Sequence, residues 1–145
     1  MMHGRAWLGA VVMLAALCGC TRTTPEQRLR DTVASLQAAI QARDAGDIRE
    51  VLAEDFVGPG GVDREGAVRM AQAMFLRHRE IGVTMAGPLQ VRMQPSHASI
   101  RFEAALTGGS GSVLPDAARL YSVETGWRLD DGNWRLTSAD WKPRL

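Results

Sequence analysis

Trp127-Arg128-Leu129-Asp130-Asp131-Gly132-Asn133-Trp134-Arg135-Leu136 is two alternating runs about a turn. Asp131-Gly132 supplies the two positive-φ positions of a type I′ turn. That turn pairs Asp130 with Asn133, Leu129 with Trp134, Arg128 with Arg135, and Trp127 with Leu136. Side chains alternate across a strand, so Trp127, Leu129, Trp134 and Leu136 share one face. Each Trp buries about 200 Å², and the hairpin therefore brings much of the core. Arg128 and Arg135 are opposed on the other face, which is unfavourable unless they are solvated or paired with an anion.

Working outward, the hairpin extends to strands over 119–129 and 134–141. Upstream, Ala98, Ile100, Phe102, Ala104 and Leu106 alternate with Ser99, Arg101, Glu103 and Ala105, a half-buried strand with one wet face. Val83 and Met85, then Leu89, Val91 and Met93, repeat that period. Gly108-Gly109-Ser110-Gly111-Ser112 is a loop. Before residue 82 the period is helical. Pro25 suits a first turn, and Leu29, Val33, Leu36 and Ile40 form the stripe of a helix that ends near Arg43. Asp47 with Glu50 reads as the capping box of a short second helix, which buries Ile48, Val51 and Leu52 and stops before Phe56. Asp63 reads as the N-cap of a third helix, with Val68, Ala71, Met74, Phe75 and His78 on its apolar side. Three N-terminal helices followed by strands predict an α+β domain, the helices packed on one face of a curved antiparallel sheet.

The first residues carry an address. Arg5 precedes an apolar stretch from Ala6 to Leu17, too short to span a bilayer but suited to a signal peptide. Leu17-Cys18-Gly19-Cys20 resembles the bacterial lipobox. That resemblance implies cleavage after residue 19 and acylation of Cys20, with multiple acyl chains giving stable anchoring. The alternative is an ordinary secretory signal. The organisation expected is a signal peptide over 1–19, a lipidated Cys20 with a tether to 25, and one domain over 26–145. Thr21 in place of an Asp favours the periplasmic face of the outer membrane in a Gram-negative cell envelope. The tether from Thr21 to Pro25 reaches at most about 17 Å, which keeps the domain close to the membrane surface.

The chain has 145 residues, with 17 Lys and Arg against 16 Asp and Glu. That balance argues against a nucleic-acid partner, whose phosphates require surplus positive charge. Cleavage removes Arg5 alone and leaves 16 basic against 16 acidic residues. It also removes Cys18, and acylation turns Cys20 into a thioether, so no nucleophilic thiol is expected in the mature chain. His3, His78 and His97 have no metal-ligand spacing, and neither a phosphate loop nor a nucleophile elbow is present. No cofactor is expected.

The order of these elements resembles the nuclear-transport-factor-2-like (NTF2-like) superfamily, which includes SnoaL-like proteins and ketosteroid isomerase. Four stretches carry the resemblance: Asp44-Ala45-Gly46-Asp47-Ile48 after the long helix, Val51-Leu52-Ala53-Glu54-Asp55-Phe56, Asp63-Arg64-Glu65-Gly66, and the hairpin. It implies a cystatin-like cone, a bent sheet wrapped on a long helix with a pocket between them. Isomerase-like sites in the family use an Asp before a Pro as base. The corresponding dipeptide here is Gly58-Pro59, which has no basic atom.

Candidate pocket residues are His78, Tyr121, Asp55, Met74 and Trp127. A histidine near its ordinary pKa suits a general base, though a packed helix-end histidine is the plainer reading. Tyr121 shares parity with Trp127 and can orient a ligand or an oxyanion, or simply fill core. Asp55 is a pocket carboxylate or a solvated helix-end charge. Met74, with Met70, Met85 and Met93, can line an adaptable pocket or pack as core.

The expectation is a non-catalytic, membrane-anchored lipoprotein whose cone binds a small apolar ligand or a protein partner. The alternative is a SnoaL-like isomerase, hydrolase or dehydratase using His78, Tyr121 or Asp55. A third reading is a subunit that forms a homodimer through the outer sheet face.

Overall fold

The computed structural model describes residues 22–109 and 117–144. The signal segment 1–19, Cys20 and the 110–112 part of the glycine-rich loop lie outside the described residues.

Helix α1 spans Pro25–Gln41 and buries Leu29, Val33 and Ala39. Thr24 caps it, its Oγ1 accepting the Gln27 N–H at 3.1 Å. The helix closes earlier than Arg43, because Arg43 itself adopts φ 59. The Asp44 N–H then returns to the Ala39 carbonyl at 2.9 Å and the Arg43 N–H to the Ile40 carbonyl at 3.0 Å. This pair of bonds satisfies the orphan carbonyls of the last turn. The Arg43 guanidinium donates to the carbonyls of Phe75 at 2.8 Å and Arg79 at 3.1 Å, tying the end of α1 to the end of the third helix.

Two expectations are corrected in the next segment. Helix α2 covers Ala45–Val51 and is capped by Asp44, which accepts the Asp47 N–H at 2.9 Å. The left-handed Arg43 makes Asp44 the first extended residue, so Asp47 already lies inside the helix. The chain then leaves helical geometry at Leu52, and Leu52–Val57 is strand β1 rather than more helix. β1 pairs in parallel with the last strand, Leu52 opposite Leu136, so the sheet is mixed rather than wholly antiparallel. A short 3₁₀ turn at Pro59–Gly61 leads to helix α3, Arg64–Arg77, whose cap is Asp63 as the sequence predicts.

The remaining strands are β2 (Glu80–Met93), β3 (His97–Gly109), β4 (Ala117–Asp130) and β5 (Asn133–Pro143), ordered β1-β5-β4-β3-β2. Val83, Met85 and Leu89–Met93 belong to one strand, interrupted by an irregularity between Ala86 and Gln90. Gly87 at φ 81 and Pro88 occupy it, and a proline there forfeits no ladder bond. The hairpin adopts the register read from its turn, with Asp131 at φ 48 and Gly132 at φ 79.

The three helices cover one face of the five-stranded sheet, and the core lies between. Leu29 and Ile100 are fully enclosed, with Trp127, Trp134, Leu136, Phe56 and Phe75 around them. Trp134 Nε1 donates to the Pro25 carbonyl at 3.0 Å, which fastens the start of α1 to the hairpin. The outer sheet face is polar: Arg101 pairs with Glu124 at 3.1 Å, and Arg144 with Glu103.

Candidate functional site

Ala98, Ile100, Phe102, Ala104 and Leu106 share one face of β3. The register sets Trp127, Thr125, Val123 and Tyr121 beside the first four, and Trp141 beside Val123. One half of this face is sealed. Ala98, Ile100, Thr125 and Trp127 are buried, and Thr125 Oγ1 both accepts Trp127 Nε1 at 2.8 Å and donates to the Ile100 carbonyl at 3.2 Å. The other half stays open. Phe102, Tyr121 and Val123 are half-buried, and Trp141 is 39% exposed. Met85, opposite Ala104, extends this apolar shelf toward the sheet edge. Phe102, Met85 and Leu106 pack on the core, so the shelf continues the core outward.

Tyr121 lies on this shelf. His78 is the C-cap residue of α3, its backbone N–H bonded to the Met74 carbonyl at 3.0 Å. Its imidazole lies against Gly108 so closely that a Cβ there would sit 2.8 Å from Nδ1. Gly108 pairs with Ile81, a core residue, so the ring packs on the same side of the sheet as Tyr121. Four residues of β3 separate Gly108 from Ala104, the neighbour of Tyr121, about 13 Å along the strand.

The other three candidates do not join them. Asp55 is an exposed residue of β1, held by the Arg128 guanidinium through bonds of 2.9 and 3.1 Å. That guanidinium holds its carboxyl below the ordinary carboxylate range. Arg128 alternates with Trp127 and projects from the opposite side of β4 to Tyr121. Met74 is 37% exposed on the outward side of α3, because Val68 and Phe75 take the inward positions. Trp127 is core, 2% exposed and satisfied by Thr125.

A concavity lies where α2, β1 and the hairpin meet. This cleft of about 580 Å³ is lined by Glu50, Leu52, Ala53, Glu54, Arg64, Arg128, Asp130 and Arg135. Arg64 Nε and Nη2 donate to the Arg49 carbonyl at 3.2 and 2.9 Å, and Arg135 Nη1 donates to the Glu50 carbonyl. Two guanidiniums thus cap the orphan carbonyls at the end of α2. Beside them, Arg49 pairs with Glu65 at 2.6 Å and lowers that carboxyl's pKa. Sequence reasoning missed this cleft, since its residues come from four separate stretches. For the shelf, the signal was available in the shared parity of Phe102, Val123 and Trp141 once the strand register was known.

Among the described residues no cluster of three His, Cys, Asp or Glu is placed to hold a metal, and no helix is long and apolar enough to cross a membrane.

No family model matches the sequence, and no curated protein is similar to it. Solved structures are similar in fold. A candidate dehydratase of the NTF2-like family from Streptomyces avermitilis superposes with TM-score 0.70 at 15% identity, over 84% of this chain and 99% of that one. An NTF2-like protein from Cytophaga hutchinsonii gives TM-score 0.64 at 18% identity, over 83% and 99%. Bd1075 of Bdellovibrio bacteriovorus gives TM-score 0.72 at 12% identity over 81% of this chain, which spans only 41% of that protein. The architecture of this chain is that of the NTF2-like proteins, three helices on a bent five-stranded sheet.

Proposed function

We propose that this protein is a lipid-anchored binding protein of the cell envelope whose open apolar sheet face takes a small apolar ligand. The observation that carries the reading is the shelf. Phe102, Tyr121 and Val123 are half-buried and Trp141 is 39% exposed on the side of the sheet that elsewhere builds the core. Apolar surface left open on the core side of the sheet, with one hydroxyl-bearing ring among it, suits a small apolar ligand. The lipobox ending at Cys20 supports anchoring through acyl chains at that residue. The structural neighbours support the fold and no particular ligand.

One observation favours a second reading, a small-molecule isomerase, hydrolase or dehydratase. The His78 ring and Tyr121 lie on the same side of the sheet, and a ligand about 13 Å long would span them. Asp55 is bound to Arg128 and takes no part.

The test is native mass spectrometry of the full chain purified in mild detergent. An apolar small molecule is expected to travel with the wild type, to be lost from Trp141→Glu, and to remain bound to His78→Ala. Retention by Trp141→Glu would overturn the proposed site. Chemical conversion of the captured molecule by the wild type but not by His78→Ala would establish the enzymatic reading.

A further inference from the structure

Beyond the apolar shelf, we infer that the charged cleft between α2, β1 and the hairpin is a second binding site, for a small zwitterion of the amino-acid or peptide class. The inference rests on which charges in the cleft are already spoken for. Arg128 is satisfied by two carboxylates, Asp55 at 2.9 Å and Asp130 at 3.0 Å. Four charged side chains remain: Arg64, Arg135, Glu50 and Glu54. Among the described residues none of these four joins an ion pair. Of the two acids that flank Arg64 in sequence, Glu65 is held by Arg49 and Asp63 caps α3.

The reason the two pairs do not collapse on each other is structural. Arg64 and Arg135 are pinned by main-chain carbonyls of α2, through Nε and Nη2 of Arg64 and Nη1 of Arg135. A guanidinium has five N–H donors in a rigid fork, so each retains donors for a second acceptor. Two cations are thereby fixed in the cleft without a carboxylate in an ion pair, while Glu50 and Glu54 line the same cleft without a cationic partner among the described residues. Charges held apart in advance favour a ligand that brings both complements, since little ordering remains to be done on binding. A carboxylate meets the guanidiniums in bidentate fashion, and an ammonium meets the glutamates. A volume of about 580 Å³ lies within the range of small-molecule sites. A simple anion would leave the two glutamates facing it, and a simple cation would leave the two arginines.

The experiment is isothermal titration calorimetry on the full chain in nonionic detergent at low salt, with three probes. L-Alanyl-L-alanine carries both charges, its N-acetyl form only the carboxylate, and its C-terminal amide only the ammonium. The dipeptide is expected to bind, and each blocked form to bind about tenfold more weakly or not at all. Glu54→Gln, an exposed position with no partner to lose, is expected to weaken the dipeptide several-fold and to leave the N-acetyl form unchanged. Arg64→Gln is expected to weaken the dipeptide and the N-acetyl form alike. Absence of heat with all three probes would overturn the inference. So would equal binding of a blocked form, or a Glu54→Gln protein that binds the dipeptide like the wild type. Trp141→Glu should leave this titration unchanged, which separates failure here from failure of the apolar site.

Discussion

At the scale of single residues, the pair Asp55–Arg128 settles the unfavourable opposition of Arg128 and Arg135 that the hairpin register imposes. Arg128 turns to two carboxylates, and Arg135 to the Glu50 carbonyl. Asp55 titrates below its ordinary value because of the Arg128 guanidinium. In the unfolded chain an Asp titrates near 3.9, so between the two values the unfolded state binds more protons. The stability contributed by this pair is therefore fully present above that ordinary value and is lost as pH falls through the folded one. Asp55→Asn is expected to lower the urea midpoint at pH 7 and to match the wild type progressively as the medium is acidified below about pH 4. High salt should narrow the difference at neutral pH, because the pair is exposed to solvent. A gap independent of both pH and salt would show that the carboxylate acts by packing alone. The opposition and its need for an anion were legible in the sequence, but not the identity of that anion, since 73 positions separate Asp55 from Arg128. The same holds for His78. The stripe placed it on the helix, whereas it is the extended residue that closes α3, and nothing in the sequence showed that Gly108 leaves room for its ring.

Elements were far more legible than the contacts between them. The hairpin register followed from two residues, since a two-residue turn with positive φ at both positions fixes the pairings from Asp130–Asn133 to Trp127–Leu136, beyond which an extra residue, Thr137, shifts the register by one. Asp63 as a cap was equally local, a side chain accepting an N–H three residues on. The failures came where local signals competed. Asp44 and Asp47 are both acceptable caps, and the left-handed Arg43 decides between them. Leu52–Val57 has no alternation that marks it as a strand, and its pairing with β5 is set from a distance of more than eighty residues. The turn gives the prediction that belongs here. Gly132 at φ 79 has open space where a Cβ would lie, so substitution tests backbone conformation without a clash. Gly132→Ala is expected to destabilise the fold by about 1 kcal/mol through left-handed strain, read as a lower urea midpoint at unchanged m-value. A stabilised variant would mean that this turn does not hold the register.

On the scale of the whole molecule, the two ends of the sheet have different tasks. The start of α1 is fastened to the hairpin end, through Trp134 to the Pro25 carbonyl and Arg28 to the Gly132 carbonyl at 3.4 Å. A lipid-bearing Cys20 would therefore tether the domain by its hairpin end, with at most about 17 Å of chain between. Tyr121 and Trp141 lie at the other end. From Asp130 back to Tyr121 is nine residues of β4, about 30 Å of strand. Anchored in this way, the domain would turn its apolar shelf away from the lipid, toward water rather than into the bilayer. Tryptophan fluorescence can decide this. Trp127 and Trp134 are each 2% exposed and sheltered from any quencher, while Trp141 is 39% exposed. With the chain processed at Cys20, which no longer carries Trp7, bound to phospholipid vesicles, iodide in the aqueous phase is expected to quench one class of tryptophan. That class should disappear in Trp141→Phe. Spin-labelled acyl chains in the bilayer should leave it unaffected. Quenching of Trp141 by the labelled lipids would place the shelf in the membrane surface. The ligand would then be drawn from the bilayer rather than from solution, reversing the orientation argued from the fastening of α1 to the hairpin.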